Sequence, residues 1–121
     1  MGGISQTAPP NSDGYVECNC NYNNNTVCHV TTLVIKGYNL PGVLPLSIVK
    51  LQYLQHVDVA YNLLTGTIPE EWASMQLNFI SVLVNRLSGQ IPKYLANFTS
   101  LTYLNLEGNQ FSGAFLLTSE G

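Results

Sequence analysis

In the stretch Leu51-Gln52-Tyr53-Leu54-Gln55-His56-Val57-Asp58-Val59-Ala60-Tyr61-Asn62-Leu63-Leu64-Thr65-Gly66-Thr67-Ile68-Pro69, four kinds of residue keep separate places. Val57 and Val59 stand two apart, as on a short strand that turns both side chains to one face. Leu51, Leu54 and Leu64 flank them and extend the same apolar edge. Asn62 falls where the chain must turn out of the strand, and its amide can satisfy backbone groups that a buried turn would leave unpaired. Gly66 allows a backbone conformation closed to other residues, and the step into Pro69 fixes an extended segment behind it.

The same arrangement recurs on both sides. Gly42, Gly66, Gly89 and Gly113 step by 24, 23 and 24 residues, a period inside the range of leucine-rich repeats. Asn85 and Asn109 repeat the place of Asn62, while Tyr38 takes it in the first unit. Leu77, Ile80 and Val82 carry the apolar offsets in the third unit, with Ser74 outermost. Phe98, Leu101, Leu104 and Leu106 carry them in the fourth, and Leu33 and Ile35 in the first. No single unit buries its apolar edge, so stacking makes the core and about three units are needed. This chain has four, the last incomplete.

Composition narrows the function. Of 121 residues, 45% are hydrophobic and only 9% charged, with a net charge of −3. The basic residues Lys36, Lys50, Arg86 and Lys93 are scattered, so no patch neutralises phosphates and nucleic acid is not an expected partner. No apolar run reaches the roughly 18 to 20 residues that span a bilayer, and no membrane contact is expected of this segment. The start, Met1 to Gln6, lacks a basic and an apolar region of a signal peptide, and Gln6 breaks the myristoylation pattern. A surface of Asn, Ser, Thr and Tyr suits a secreted, glycosylated protein.

The pattern L-x-x-L-x-x-L-x-L-x-x-N-x-L-x-G-x-I-P resembles the plant-specific class of leucine-rich repeats. Together with Val16-Glu17-Cys18-Asn19-Cys20 and Asn24-Asn25-Thr26-Val27-Cys28-His29-Val30-Thr31, it is similar to ectodomains of plant receptor-like serine/threonine kinases that also carry a malectin-like module. The resemblance covers residues 15 to 113 and implies an α/β fold, a right-handed leucine-rich-repeat solenoid with short parallel strands and helical or 3-10 convex segments. Residues 1–14 are expected as a disordered leader, 15–32 as a cysteine-containing cap, 33–113 as four repeats and 114–121 as the tail of a truncated repeat. The implied function is extracellular recognition of a protein, peptide or cell-wall glycan. A secreted defence protein inhibiting a wall-degrading enzyme, or a structural spacer, are the alternatives. The kinase and malectin-like modules lie outside the resemblance, so no enzymatic activity is carried over.

A direct Cys18–Cys20 bridge would be badly strained, so Cys28 is expected to pair with one of the two. In the resembled family a further upstream cysteine completes two bridges, and it is missing here. Zinc bound by these thiols and His29 is the rival reading, but adjacent Cys28-His29 ligands are awkward and the spacing fits no common zinc knuckle. Asn24 and Asn97 open glycosylation sequons, and Asn97, just before inward-pointing Phe98, should face solvent. Glu70 and Glu71 suit the start of a short helical segment containing Trp72. His56 and Asp58 read as a surface pair. Without a phosphate loop or a catalytic serine motif, no catalytic residue, metal or cofactor is expected.

Alternation along the strands puts recognition on the concave face. The first outward column is Thr32, His56, Phe79 and Tyr103. The second is Val34, Asp58, Ser81 and Asn105, and the third Lys36, Ala60, Leu83 and Glu107. Of these, Thr32, Lys36, His56, Asp58, Phe79, Ser81, Leu83, Tyr103, Asn105 and Glu107 are the expected ligand contacts, led by the aromatic residues. His56 beside Asp58 adds a charge that answers to acidity. Beyond Gly113 the chain reads Ala114-Phe115-Leu116-Leu117 instead of Ile-Pro, so the last apolar edge is expected to be a weak point.

Overall fold

The computed structural model describes residues 8–112; residues 1–7 and 113–121, and with them Gly113 and the expected tail 114–121, lie outside the described residues. Two long strands, β1 (Asp13–Tyr22) and β2 (Val27–Lys36), form an antiparallel hairpin. Three short strands then join β2 in parallel: β3 (His56–Asp58), β4 (Phe79–Ser81) and β6 (Tyr103–Asn105), in sheet order β1-β2-β3-β4-β6. Leu33, Val57, Ile80 and Leu104 lie in register and point inward. A second parallel ribbon joins β5 (Ser88–Gln90) to β7 (Gln110–Ser112) and continues toward the first coil as a Val43–Thr65 bridge. The turn glycines therefore build a ladder of their own, which the repeat pattern alone had not revealed. Gly42, Gly66 and Gly89 all hold φ between 82° and 97°, the left-handed conformation their spacing called for.

The convex side is made of 3-10 helices at Leu46–Lys50, Glu70–Ser74 and Lys93–Asn97, each entered from an extended proline, Pro45, Pro69 or Pro92. Five residues between a fixed proline and the next apolar position, Leu51, Met75 or Phe98, favour the tighter helix. Trp72 sits at the centre, fully buried, and its indole N–H donates to the Pro45 carbonyl of the preceding coil at 3.0 Å. One coil later the Tyr94 hydroxyl does the same to the Ile68 carbonyl, and burial pushes its phenol pKa up, against a lowering hydrogen bond with Thr67. Leu54, Val57, Ile68, Leu77, Ile80, Val82 and Leu87 are fully buried with Trp72 in one core cluster. Their fourth-coil counterparts Leu101, Leu104, Leu106 and Phe111 are only half-buried.

The asparagines stitch coil to coil. Asn62 accepts from the Tyr38 and Leu40 amides at 3.1 and 3.0 Å and donates to the carbonyls of Ile35, Val59 and Ala60 at 2.8 to 3.3 Å. Asn85 links Leu64, Val59 and Val82 in the same way, and Asn109 links Leu87, Val82, Leu106 and Glu107. Each side chain thus spans its own turn and the one before it.

Two expected boundaries move. β1 starts at Asp13, inside the stretch assigned to the leader, and β2 runs straight through the cap–repeat boundary at 32/33. The reason is pairing: Asp13 faces Lys36 and Val16 faces Leu33, so cap and first coil share one continuous ladder. Cys28 bonds to Cys20 near the hairpin turn, and Cys18 is exposed and free. This disulfide uses two of the thiols that a zinc site would need. Closing a loop of this size stabilises by about 2–3 kcal/mol. Reduction is expected to release amide protection in residues 15–35 before the coils. Simultaneous loss everywhere, or no change, would refute this.

The residue before each turn position is left-handed: Gly37, Tyr61, Val84 and Gly108, with φ of 78°, 60°, 58° and 75°. Glycine accepts this freely, whereas a β-branched residue is strained by about 1–2 kcal/mol. A Cβ on Gly108 would lie 2.7 to 3.0 Å from Val84, so that coil also needs glycine for close approach. Val84→Gly is expected to gain about 0.5–1 kcal/mol net of added chain entropy. A lowered urea midpoint would contradict the strain.

Candidate recognition face

β2, β3, β4 and β6 are each only a few outward residues long on the concave side, so the face is a grid of columns. The first expected column is in register: Thr32, His56, Phe79 and Tyr103. Its rings stack face to face. His56 and Phe79 centroids are 3.9 Å apart and Phe79 and Tyr103 centroids 4.3 Å, with planes 4° from parallel in both pairs. Strand spacing of about 4.8 Å sets this separation. Because the faces cover one another, an incoming molecule meets ring edges, the imidazole nitrogens and the Tyr103 hydroxyl. The Asn105 amide donates to that hydroxyl at 3.2 Å.

The second column has another task. Asp58 accepts from the Ala60 N–H at 3.1 Å, Ser81 from Leu83 at 3.4 Å and Asn105 from Glu107 at 3.0 Å. Each side-chain oxygen ties down the backbone two residues on, where the strand ends. Two contacts are therefore corrected. Ser81 is 4% exposed, shut between Asp58 and Asn105 on the neighbouring strands, and is withdrawn as a ligand contact. Asp58 faces Lys36 rather than His56: the Lys36 ammonium is 3.9 Å from its carboxylate, the one ion pair among the described residues. Val34 and Ala60 of the outward columns are likewise buried. Tyr15 lies opposite Val34 on β1, and Ala60 is folded into the Asn62 turn.

Leu83 is half-buried and Glu107 exposed at the rim. Asn24, in the hairpin turn, and Asn97, at the end of a 3-10 helix, are both exposed. The sequence reading missed a second ring cluster, where His29 stacks on Tyr53 at 3.8 Å and Tyr22 meets both edge-on at 4.7 Å. Its members come from the hairpin and from the loop after the first 3-10 helix, places with no shared offset to reveal them. Glu70 and Glu71 do occupy the first turn of their 3-10 helix. Among the described residues no helix is long and apolar enough to cross a membrane, and no group of three or more His, Cys, Asp or Glu could hold a metal.

The Leucine Rich Repeat family model matches residues 53–75 and 100–119. A probable LRR receptor-like serine/threonine-protein kinase of Arabidopsis thaliana is 48% identical over 87 residues, covering 71% of this chain and 9% of that protein. This chain is a leucine-rich-repeat solenoid homologous to plant LRR receptor-like kinases. The chain spans about a tenth of the length of curated relatives that it matches. It superposes on the ectodomain of the Arabidopsis thaliana receptor kinase SOBIR1 with a TM-score of 0.69 at 27% identity, covering 81% of this chain and 55% of that one. On the plant peptide hormone receptor RGFR1, solved with RGF2, it gives 0.64 at 34% identity, covering 69% and 14%. Polygalacturonase inhibitor 2 of Arabidopsis thaliana is 40% identical over 63 residues, half of this solenoid and 19% of the inhibitor.

Proposed function

We propose that this solenoid is part of the extracellular region of a receptor-like kinase and recognises a peptide or protein through its concave face. The cap sequence from Val16 to Thr31 supports a receptor of the malectin-bearing kind. The observation that carries the reading is the ring column His56–Phe79–Tyr103, three stacked side chains on the concave face, Tyr103 exposed and His56 and Phe79 half-buried. Rings presented edge-on, beside the Lys36–Asp58 pair and the Glu107 rim, suit an extended polypeptide. Its carbonyls meet positive ring edges and its side chains settle against Leu83. The solenoid itself is a binding element and not a catalyst, with Thr32 and Asn105 as further contacts and glycans on Asn24 and Asn97. Inhibition of a wall-degrading enzyme is the weaker reading, since that match spans only half of the chain.

Phe79→Ala and Tyr103→Ala are each expected to weaken partner binding about tenfold or more, or about 1–2 kcal/mol, with the thermal midpoint nearly unchanged. Calorimetric titration with a peptide captured by the ectodomain from an apoplastic peptide pool measures this. Unchanged affinity in both variants would move the recognition surface to a flank or the cap.

A further inference from the structure

Outside the concave face, the second ribbon carries a shallow groove of about 360 Å³ between the second and third coils. That size falls within the range of small-molecule sites, about 300–1,000 Å³. We propose that this groove binds a neutral saccharide.

Its floor is backbone. Gly66 and Gly89 both lie there with positive φ, and a Cβ on Gly89 would meet no atom within 4 Å. It would project into open space, so glycine leaves the peptide surface within a ligand's reach. One wall is the Tyr94 ring, half-buried and held by its hydroxyl on the Ile68 carbonyl, with Pro92 beside it. A fixed, flat, electron-rich ring face attracts the polarised C–H groups on the face of a pyranose. The rim carries Thr67, Ser88 and Gln90, all exposed. Hydroxyls and an amide both donate and accept, as sugar hydroxyls do.

Charge selects the class of sugar. No charged side chain lines the groove. The charges that act on Tyr94 are the carboxylates of Glu70 and Glu71, which would repel a uronate and leave a neutral glycan undisturbed. Lys93 is exposed but stands outside the lining. Tyr94 has its hydroxyl committed to the fold, and its half-buried ring lines the groove.

The test is titration of the isotope-labelled ectodomain with cellohexaose, mannohexaose and hexagalacturonate, read by amide and Tyr ring shifts. At least one neutral hexaose is expected to shift Gly66, Ser88, Gly89, Gln90 and the Tyr94 ring, with the uronate at least tenfold weaker. Ser88→Trp should fill the groove from an exposed strand position and weaken binding at least tenfold. Gln90→Ala, which removes only an exposed amide, should weaken it about threefold or more and serves if the tryptophan variant does not fold. Absence of shifts with both neutral hexaoses, equal binding of the uronate, or binding that survives both variants would overturn the proposal. Shifts mapping to Phe79 and Tyr103 would overturn it too, while leaving the concave-face reading intact. Conversely, Phe79→Ala should leave the saccharide shifts unchanged.

Discussion

Trp72→Ala is expected to lower the unfolding free energy by about 3–5 kcal/mol, the range for emptying a large aromatic site in a packed core. Trp72 is fully buried in the same core cluster as Ile48 and Leu95, and its 3-10 helix packs between those of the coils on either side. A repeat protein relays stability only between neighbours, so the cavity weakens two interfaces at once. The lost hydrogen bond to Pro45 is the smaller part, because Pro45 is exposed and water can replace the indole. Trp72→Phe should therefore recover much of the loss and leave roughly 1–2 kcal/mol. Urea unfolding of the three proteins measures both steps. A Trp72→Ala midpoint within error of wild type would mean that the convex layer contributes little to cohesion between coils.

The second large effect belongs to Asn62, which is 3% exposed. Its amide oxygen takes two backbone N–H groups and its NH₂ serves three carbonyls, drawn from the first coil and its own. Asn62→Ala strands several of these groups where water reaches them poorly. Each buried orphan costs about 1–3 kcal/mol, so a total of about 3 kcal/mol or more is expected. Asn62→Asp should be at least as damaging, because a carboxylate cannot donate and would face three carbonyls. Hydrogen exchange at Tyr38 and Leu40 reports the broken contacts directly. If those two amides stay protected in Asn62→Ala, the turn is held by something other than the side chain. Affinity for a concave-face partner should change little, the reverse of the pattern expected for Phe79→Ala.

The structure also separates two roles that one column of sequence had merged. Asp58, Ser81 and Asn105 look like a polar binding strip when only alternation is considered. Their oxygens are in fact engaged with the amides of Ala60, Leu83 and Glu107. Replacing them would disturb the sheet edge as well as any ligand, so the aromatic column gives the cleaner readout of recognition.

What the sequence determined by itself was the coil. The period of Gly42, Gly66 and Gly89, the inward Leu33, Val57, Ile80 and Leu104, and the turn asparagines are local demands repeated at a fixed interval. Chain geometry converts such an interval into a stacked register without further information. The ring column was legible for the same reason, since equal offsets on stacked strands must meet. Tertiary structure alone decided the rest. The Lys36–Asp58 pair, the burial of Ser81, the Tyr22–His29–Tyr53 cluster and the groove beside Tyr94 depend on which side chains of different offset come within a few ångströms. Cys28 had two open partners in the sequence, and hairpin register, with Tyr22 opposite Val27, brought Cys20 to it. Periodicity fixes what repeats, whereas contacts between unlike positions arise only once the coils are packed against one another.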